Sequence, residues 1–386
     1  MSFKPLFSRS LNAASGRLHF AAHSHHLWPD ASFDGQAECW DDAARLADSK
    51  WERIMGEVYP EAQAEVAAEL GSGSTDALAF APNTHDFILR LVSSCPRRSG
   101  QLRILTSDGE FHSARRQFAR WEEDGWLVVE RVAAEPFDNF SARFVERARS
   151  GDHDLMFVSQ VLFSSGRLFD DIAALADLAR PEGPWVVIDG YHAFMAIDAP
   201  FSPELAASCF YLGGGYKYGM AGEGAAFLHA PPGFGPRPAV TGWFAEFDDL
   251  TLPPGSIGYA PDGRRFLGAT FDASGLYRFN AVRRMLADQG LTTGWIAARC
   301  GKLKTQLLDG LATTALGEAQ LLNPIGNGPQ ARFVALRDPR AKRWEEALRV
   351  QQCITDVRGE VLRIGFAIYQ DEEDVDRFAS IAATLR

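Results

Sequence analysis

Between residues 100 and 230 the sequence alternates short apolar runs with longer amphipathic runs, and this alternation restricts the possible folds most strongly. The apolar runs have the length of buried strands, and the segments between several of them space their apolar residues as helices do. Strands that alternate with helices form a mostly parallel sheet covered on both faces. The predicted strands are Leu102–Thr106, Trp126–Val132, Leu155–Gln160, Trp185–Asp189, Cys209–Leu212 and Ala225–His229. The predicted helices are Asp86–Ser94, Ser113–Glu123, Ser141–Ala148 and Ile172–Arg180.

The segments on either side of this region predict a second, smaller unit. Asp41–Leu70 and Asn280–Leu311 have helical spacing, and Arg332–Leu336 and Val361–Ile368 read as strands before a final acidic helix. We therefore predict an α/β fold with three parts. They are an N-terminal arm and helices that pack with the small domain (1–60), a large sheet domain (61–280) and a small α+β domain (281–386).

Composition excludes several classes of function. The chain has 386 residues with 39 basic and 50 acidic side chains, a net charge of −11, and 46% hydrophobic residues. This balance is typical of a soluble globular protein, and the absence of basic clusters argues against nucleic acid and anionic membranes as partners. No apolar run reaches the ~18–20 residues of a membrane span. The five scattered cysteines indicate a reducing cytoplasm. A small-molecule substrate is the partner that we expect.

The strongest chemical signal is a carboxylate and a lysine that follow two successive predicted strands. Asp189 ends one strand, and Lys217 lies in a glycine-rich turn after the next. Ligands of α/β sheets bind at the carboxyl ends of strands. Lysine forms Schiff bases with carbonyl groups, and a buried carboxylate keeps a pyridine nitrogen protonated. Alone, Asp189 could be a helix cap and Lys217 a surface lysine, so the inference depends on the pair.

This pair and the motifs around it resemble the pyridoxal-phosphate (PLP) enzymes of fold type I. The likeness is to the class V aminotransferase group, and within it to kynureninases, from about Phe20 to Tyr369. The motifs are Asp-x-x-His at Asp189–His192, Tyr-Lys-Tyr at Tyr216–Tyr218, Gly-Trp-Phe at Gly242–Phe244, and Ser-x-Val-x-x-x-Ser-Gly at Ser159–Gly166.

The resemblance implies a role for each matching residue. Lys217 would form the Schiff base with PLP and move protons at the substrate, Asp189 would pair with the pyridine nitrogen, and His192 would lie beside the ring. Asn83 and Thr84 precede an apolar helix, whose N-terminus suits a phosphate. The resemblance also implies that Phe111 covers the ring face, that Ser159 contacts the cofactor, and that Tyr216 and Trp243 donate to the phosphate. Thr270 would reach the cofactor of a second subunit in a homodimer.

On the substrate side, the resemblance assigns the carboxylate to Arg363. An arginine in an apolar strand also needs an anionic partner on physical grounds. We expect the segment around Ser24 to line the substrate pocket. If it is extended, His23 and His25 share a face and His26 points away. No Cys, Asp or Glu lies among these histidines, so we predict no metal site.

Three functions remain open on the sequence alone. A kynureninase-like hydrolase would cleave a Cβ–Cγ bond, a class V aminotransferase would release a keto acid, and a non-catalytic protein would keep only the fold. The first two use the same Lys217, Asp189 and Arg363. Leu162 and Phe163 replace more polar or aromatic residues of some relatives, which leaves the substrate open. A desulfurase is disfavoured because no cysteine lies between residues 323 and 330.

Overall fold

The computed structural model describes residues 2–98, 100–247, 251–253 and 255–386, which surround a seven-stranded sheet. Five neighbouring strands are parallel, and the strand Ala226–His229 is antiparallel to both of its neighbours. The order across the sheet is Leu78–Ala81, Ala226–His229, Phe210–Gly214, Trp185–Asp189, Leu155–Ser159, Leu102–Ser107 and Leu127–Val132. The predicted mostly parallel sheet is therefore confirmed, with one additional edge strand, Leu78–Ala81.

Helices connect and flank the strands, as the alternating pattern predicts. The central strand Trp185–Asp189 is buried along its whole length, which explains why its sequence is continuously apolar. The flanking helices are Thr84–Ser94, His112–Glu123, Phe140–Ser150, Ile172–Ala176 and Pro203–Ala206. Short 3-10 turns lie at Lys4–Phe7, Ala47–Ser49, Phe137–Asn139, Trp243–Glu246, Gly263–Phe266 and Ala315–Glu318.

The N-terminal helices begin earlier than the sequence suggested. A short helix, Ser8–Asn12, precedes the helix Asp30–Leu46, so the predicted start at Asp41 is wrong. The chain continues through Lys50–Arg53, the π-helical turn Ile54–Val58 and Tyr59–Leu70.

The helix Asp30–Leu46 packs closely against Ser274–Asp288. At their crossing, a Cβ added at Gly35 would lie 2.6 Å from the carbonyl oxygen of Tyr277. The Tyr277 hydroxyl also donates to Asp42 Oδ2 at 2.9 Å. Only glycine permits this approach of two backbones, which joins the N-terminal helices to the helix that follows the large sheet.

The last part of the chain forms a four-stranded antiparallel sheet with helices beside it. The sheet order is Asp356–Arg358, Val361–Gly365, Phe333–Arg337 and Gln320–Leu321, and the helices are Thr293–Leu311, Ala341–Val350 and Glu372–Ala382. Leu18–His19 pairs in parallel with Cys353–Ile354, so the N-terminal arm adjoins this part. The domain boundaries at 60 and 280 stay a prediction. Among the described helices, none has the length and apolarity that crossing a bilayer requires.

Candidate active site

A cavity of about 420 Å³ lies at the carboxyl ends of the parallel strands. Ser159 and Asp189 end two adjacent strands in register, and both line it. Its walls bring together most of the residues that the sequence singled out. They are His23, Ser24, Asn83, Thr84, Phe111, Ser159, Asp189, His192, Tyr216, Lys217 and Arg363, joined by His85, Ser113, Val161, Phe163, Tyr191 and Arg358.

Lys217 is a buried amine beside a buried imidazole. Its Nζ lies 2.7 Å from Nε2 of His192 and 4.9 Å from the centre of the Tyr191 ring. Burial lowers the pKa of Lys217 to about 7, although the carboxylate of Asp189 acts in the opposite direction. Burial also holds the pKa of His192 well below its usual value, so this imidazole is neutral. An appreciable fraction of the amine is therefore unprotonated near pH 7, the form that attacks a carbonyl carbon.

Asp189 lies in the same buried environment. Its Oδ1 accepts the backbone N–H of Tyr191 at 3.0 Å. Burial raises the pKa of this carboxyl, while the Tyr191 hydrogen bond and the Lys217 charge lower it by less. A positively charged ligand ring beside Asp189 would favour its ionised form, because a nearby opposite charge stabilises the charged form of a buried group.

The wall formed by Asn83, Thr84 and Tyr216 has the features of an anion site. Asn83 is the N-cap of the helix Thr84–Ser94, and its Oδ1 accepts the backbone N–H of Asp86 at 3.1 Å. The first backbone N–H groups of this helix can donate at its N-terminus, where the helix dipole also stabilises a negative charge. Phe111, 40% exposed, offers a ring on another side of the cavity.

Trp243 and Thr270 are separate from this cavity in the single chain. The indole Nε1 of Trp243 donates to Thr270 Oγ1 at 3.2 Å, and Trp243 is 40% exposed. Neither side chain lines the cavity that holds Lys217. The contact of Trp243 with the phosphate and that of Thr270 with the cofactor of a second subunit therefore stay predictions.

Arg363 has its anionic partner within the chain. Its Nε donates to Oδ1 of Asp356 at 2.7 Å, its Nη2 donates to the same oxygen, and its Nη1 donates to the carbonyl oxygen of Phe163 at 2.6 Å. Arg358 contacts the other carboxylate oxygen of Asp356 at 3.0 Å. The guanidinium thus lines the cavity while it is hydrogen-bonded to the protein, so a substrate carboxylate would have to compete with Asp356.

The histidine segment is a turn, so the expectation of an extended segment is wrong. His23 and Ser24 line the cavity, and the His23 ring is buried against Phe333, 4.8 Å between centres. His25 is exposed; its Nδ1 lies 3.1 Å from the Tyr216 hydroxyl, so it borders the site only through that residue.

The other two histidines of the segment have partners elsewhere. Nδ1 of His19 lies 2.8 Å from the Tyr369 hydroxyl, and Nδ1 of His26 lies 2.7 Å from the carbonyl oxygen of Leu27. Within the described residues, no group of three His, Cys, Asp or Glu side chains is placed to hold a metal ion.

Glu110 is a buried carboxyl that the sequence did not assign. The hydroxyls of Ser107 and Ser159 each donate to it at 2.5 Å, and burial raises its pKa to about 7. The Ser159 hydroxyl, expected to contact the cofactor, is thus bonded to Glu110. Asp356 was also missed, although the need of Arg363 for an anion pointed to such a residue.

Sequence comparison finds related proteins but no matching family model. The chain is 29% identical to isopenicillin N epimerase of Streptomyces clavuligerus over 342 residues, 83% of each protein. It is also 29% identical to isopenicillin N epimerase of Amycolatopsis lactamdurans over 234 residues, 57% of this chain and 53% of that protein. Neither is a kynureninase, so that closer likeness stays a prediction.

Solved structures show the same fold at low sequence identity. The cysteine desulfurase of Thermococcus onnurineus has a TM-score of 0.79 at 18% identity, over 99% of this chain and 97% of that one. Cysteine desulfurase CsdA of Escherichia coli also has a TM-score of 0.79, at 16% identity over 98% and 96% of the two chains. A mutant of C-DES with glycine covalently linked to its PLP cofactor has a TM-score of 0.78 at 15% identity, over 98% and 99%.

The fold is that of PLP-dependent enzymes of fold type I. This confirms the fold class predicted from the sequence. The likeness to desulfurases does not extend to a reactive thiol, since no cysteine of the described residues lines the cavity that holds Lys217.

Proposed function

We propose that the chain is a PLP-dependent enzyme that transfers the Cα proton of an α-amino acid, with epimerisation as its reaction. The observation that carries the proposal is the buried amine of Lys217. Its pKa is lowered to about 7, and it shares one cavity with Asp189 and Arg363. Burial of an amine costs free energy, and perturbed pKa values of this kind are concentrated at functional sites.

The residues of the cavity fit the cofactor group by group. The Lys217 amine would bond to the aldehyde carbon, and the buried carboxyl of Asp189 would accept the protonated pyridine nitrogen. The helix start at Asn83 and Thr84 would hold the phosphate, and Phe111 would cover a ring face. Bound in this way, PLP withdraws electrons from the Cα of an attached amino acid and makes its proton acidic.

The chain itself then has to bind the substrate and move one proton. Arg363 would hold the substrate carboxylate after an exchange of its hydrogen bonds with Asp356. The freed Lys217 amine, whose neighbour His192 is neutral, would remove the Cα proton. Delivery of a proton from solvent to the opposite face of Cα would invert the configuration, and Lys217 would release the proton that it had removed to solvent.

The sequence likeness to two isopenicillin N epimerases supports epimerisation. The longer of these two alignments covers 83% of the chain. Beside the cofactor, the reaction requires only the removal and return of one proton, and the cavity holds Lys217 with two neutral imidazoles, those of His23 and His192. No thiol is required, in keeping with the absence of cysteine among the described residues that line the cavity.

Kynureninase-like Cβ–Cγ hydrolysis is the second candidate. His23 leaves both ring nitrogens without a hydrogen-bond partner, and His192 leaves Nδ1 without one, all buried. Burial holds both imidazoles neutral by lowering their pKa values, so they could position and deprotonate a water molecule. Transamination needs no such group and is the third outcome to be tested.

We also propose a homodimer in which Trp243 and Thr270 of one subunit approach the phosphate held by the other. Support comes from the surface position of this hydrogen-bonded pair and from its separation from the cavity of its own chain. The indole N–H and the hydroxyl are neutral donors of the kind that phosphate oxygens accept.

Product analysis in deuterium oxide separates the three reactions. The protein with PLP is incubated with a panel of L-amino acids and with kynurenine and 3-hydroxykynurenine. Epimerisation predicts a D-amino acid with deuterium at Cα, hydrolysis predicts alanine and an aromatic acid, and transamination predicts a keto acid. Alanine or a keto acid without any D-product would overturn the epimerase proposal.

A further inference from the structure

A second cavity of about 530 Å³ lies outside the proposed active site. It is bounded by the helix Thr293–Leu311 and by the loop before the strand Phe333–Arg337. Most of its wall consists of small or apolar residues, such as Ala196, Ile197 and Ala297. Its volume is in the range of small-ligand sites.

Two cationic side chains in this wall are buried. Lys304 is 2% exposed and Arg332 is 4% exposed. The Lys304 Nζ donates to Oε1 of Gln330 at 2.9 Å and to the carbonyl oxygen of Ala331 at 3.1 Å. Nη2 of Arg332 has one long hydrogen bond, 3.4 Å to the carbonyl oxygen of Thr293, and its buried Nε has no partner.

Neither cation has an ion-pair partner among the described residues. The nearby carboxylate of Glu69 is already occupied, since its Oε1 lies 2.6 Å from Nη1 of Arg283 and its Oε2 accepts the Thr293 hydroxyl at 2.5 Å. Asp198 also lines the cavity, but it is exposed at the rim. The buried end of the cavity therefore carries uncompensated positive charge.

Uncompensated buried charge is costly, and an anion at this position would reduce the cost. An arginine fork suits a carboxylate, and the small and apolar walls suit a hydrocarbon body. We propose that this second cavity is a binding site for a small organic monocarboxylate, whose carboxylate contacts Arg332 and Lys304 and whose apolar part lies along the wall.

The site is connected to the proposed catalytic lysine through Tyr218, the residue that follows Lys217. Cζ of Arg332 lies 5.3 Å from the centre of the Tyr218 ring, and the buried Tyr218 hydroxyl has no hydrogen-bond partner. Arg332 therefore lies in the wall of the second cavity and also against the residue adjacent to Lys217 in the chain.

Calorimetric titration with benzoate tests the site in the PLP-loaded protein. Benzoate should bind at millimolar concentration or tighter, and uncharged benzamide should not. Arg332→Gln and Lys304→Met should each weaken benzoate binding by about tenfold or more, because each removes a charge-assisted contact. Lys342→Met, which removes one positive charge at an exposed position of another helix, should change it less than about twofold.

The Arg363→Leu variant separates the second cavity from the proposed active site. Benzoate binding that persists in this variant supports the proposal, and binding that is lost there but kept in Arg332→Gln overturns it. If Arg332→Gln does not fold, Lys304→Met provides the same test. Binding of inorganic phosphate without binding of benzoate, or no binding of either anion, would also overturn the assignment to a carboxylate.

Discussion

Replacing Glu110 by glutamine should make the protein more stable at alkaline pH and leave it nearly unchanged at acidic pH. Glu110 is 1% exposed, and the Ser107 and Ser159 hydroxyls are its hydrogen-bond partners. Glutamine has the shape of the protonated carboxyl and, like it, can both donate and accept here. The substitution therefore removes the ionisation and leaves the packing intact.

The size of the effect follows from the pKa. Burial raises the pKa of Glu110 from 4.5 to about 7, so the folded protein retains a proton that the unfolded chain releases. Stability that Glu110 contributes below about pH 4.5 is thus lost as the pH rises through about 7. At about 1.4 kcal/mol per pKa unit, the loss between pH 5 and pH 8 is about 2.5 kcal/mol.

Urea denaturation of the ligand-free protein at these two pH values measures the difference. The free energy of unfolding of Glu110→Gln relative to wild type should rise by about 2.5 kcal/mol from pH 5 to pH 8. Glu123→Gln, the same change at a surface position with a 76% exposed side chain, should show no such rise. An equal difference at both pH values for Glu110→Gln would refute the argument that this carboxyl is protonated in the fold.

Three further predictions concern the proposed active site. The rate at which ligand-free protein captures PLP should increase with pH and level off above about 8, because the pKa of Lys217 is lowered to about 7. Stopped-flow absorbance measures this rate, and a rate that does not change from pH 6 to 8 would contradict the prediction. Arg363→Leu should reduce kcat/KM for the amino-acid substrate by roughly 10²-fold or more through the lost carboxylate contact; an unchanged kcat/KM would remove Arg363 from the site. Trp243→Phe should weaken PLP binding by about tenfold, through one lost hydrogen bond, in equilibrium dialysis, and an unchanged affinity would contradict the proposed contact across the dimer.

Much of the large sheet could be predicted, because its central strands are short, continuously apolar and separated by helical segments. Leu78–Ala81 was missed because four apolar residues after a Gly-Ser run give too little pattern to separate a strand from a loop. The antiparallel direction of Ala226–His229 was not predictable, since hydrophobic periodicity does not report strand direction. The early start at Asp30 was also missed, because this helix exposes Phe33 and Trp40 and so lacks a clean apolar face.

The part of the site that could be predicted consists of residues whose type alone indicates their chemistry, such as a lysine that can form a Schiff base. Lys217, Asp189 and His192 fall within motifs that fix their positions after two strands, and the structure places them in one cavity. Asp356 and Glu110 were missed because their roles depend on contacts across the fold. Asp356 lies opposite Arg363 on paired strands, and Glu110 reaches Ser159 from a different strand end. Sequence spacing does not show such contacts.

The attachment point of PLP decides whether Lys217 is the catalytic lysine. Protein incubated with PLP and then reduced with borohydride should carry a pyridoxyl group on the peptide that contains Lys217, as peptide mass spectrometry would show. Lys217→Ala should lose this label and turnover together. A label on another lysine, or unlabelled and colourless protein after PLP is added, would contradict the claim that Lys217 holds the cofactor.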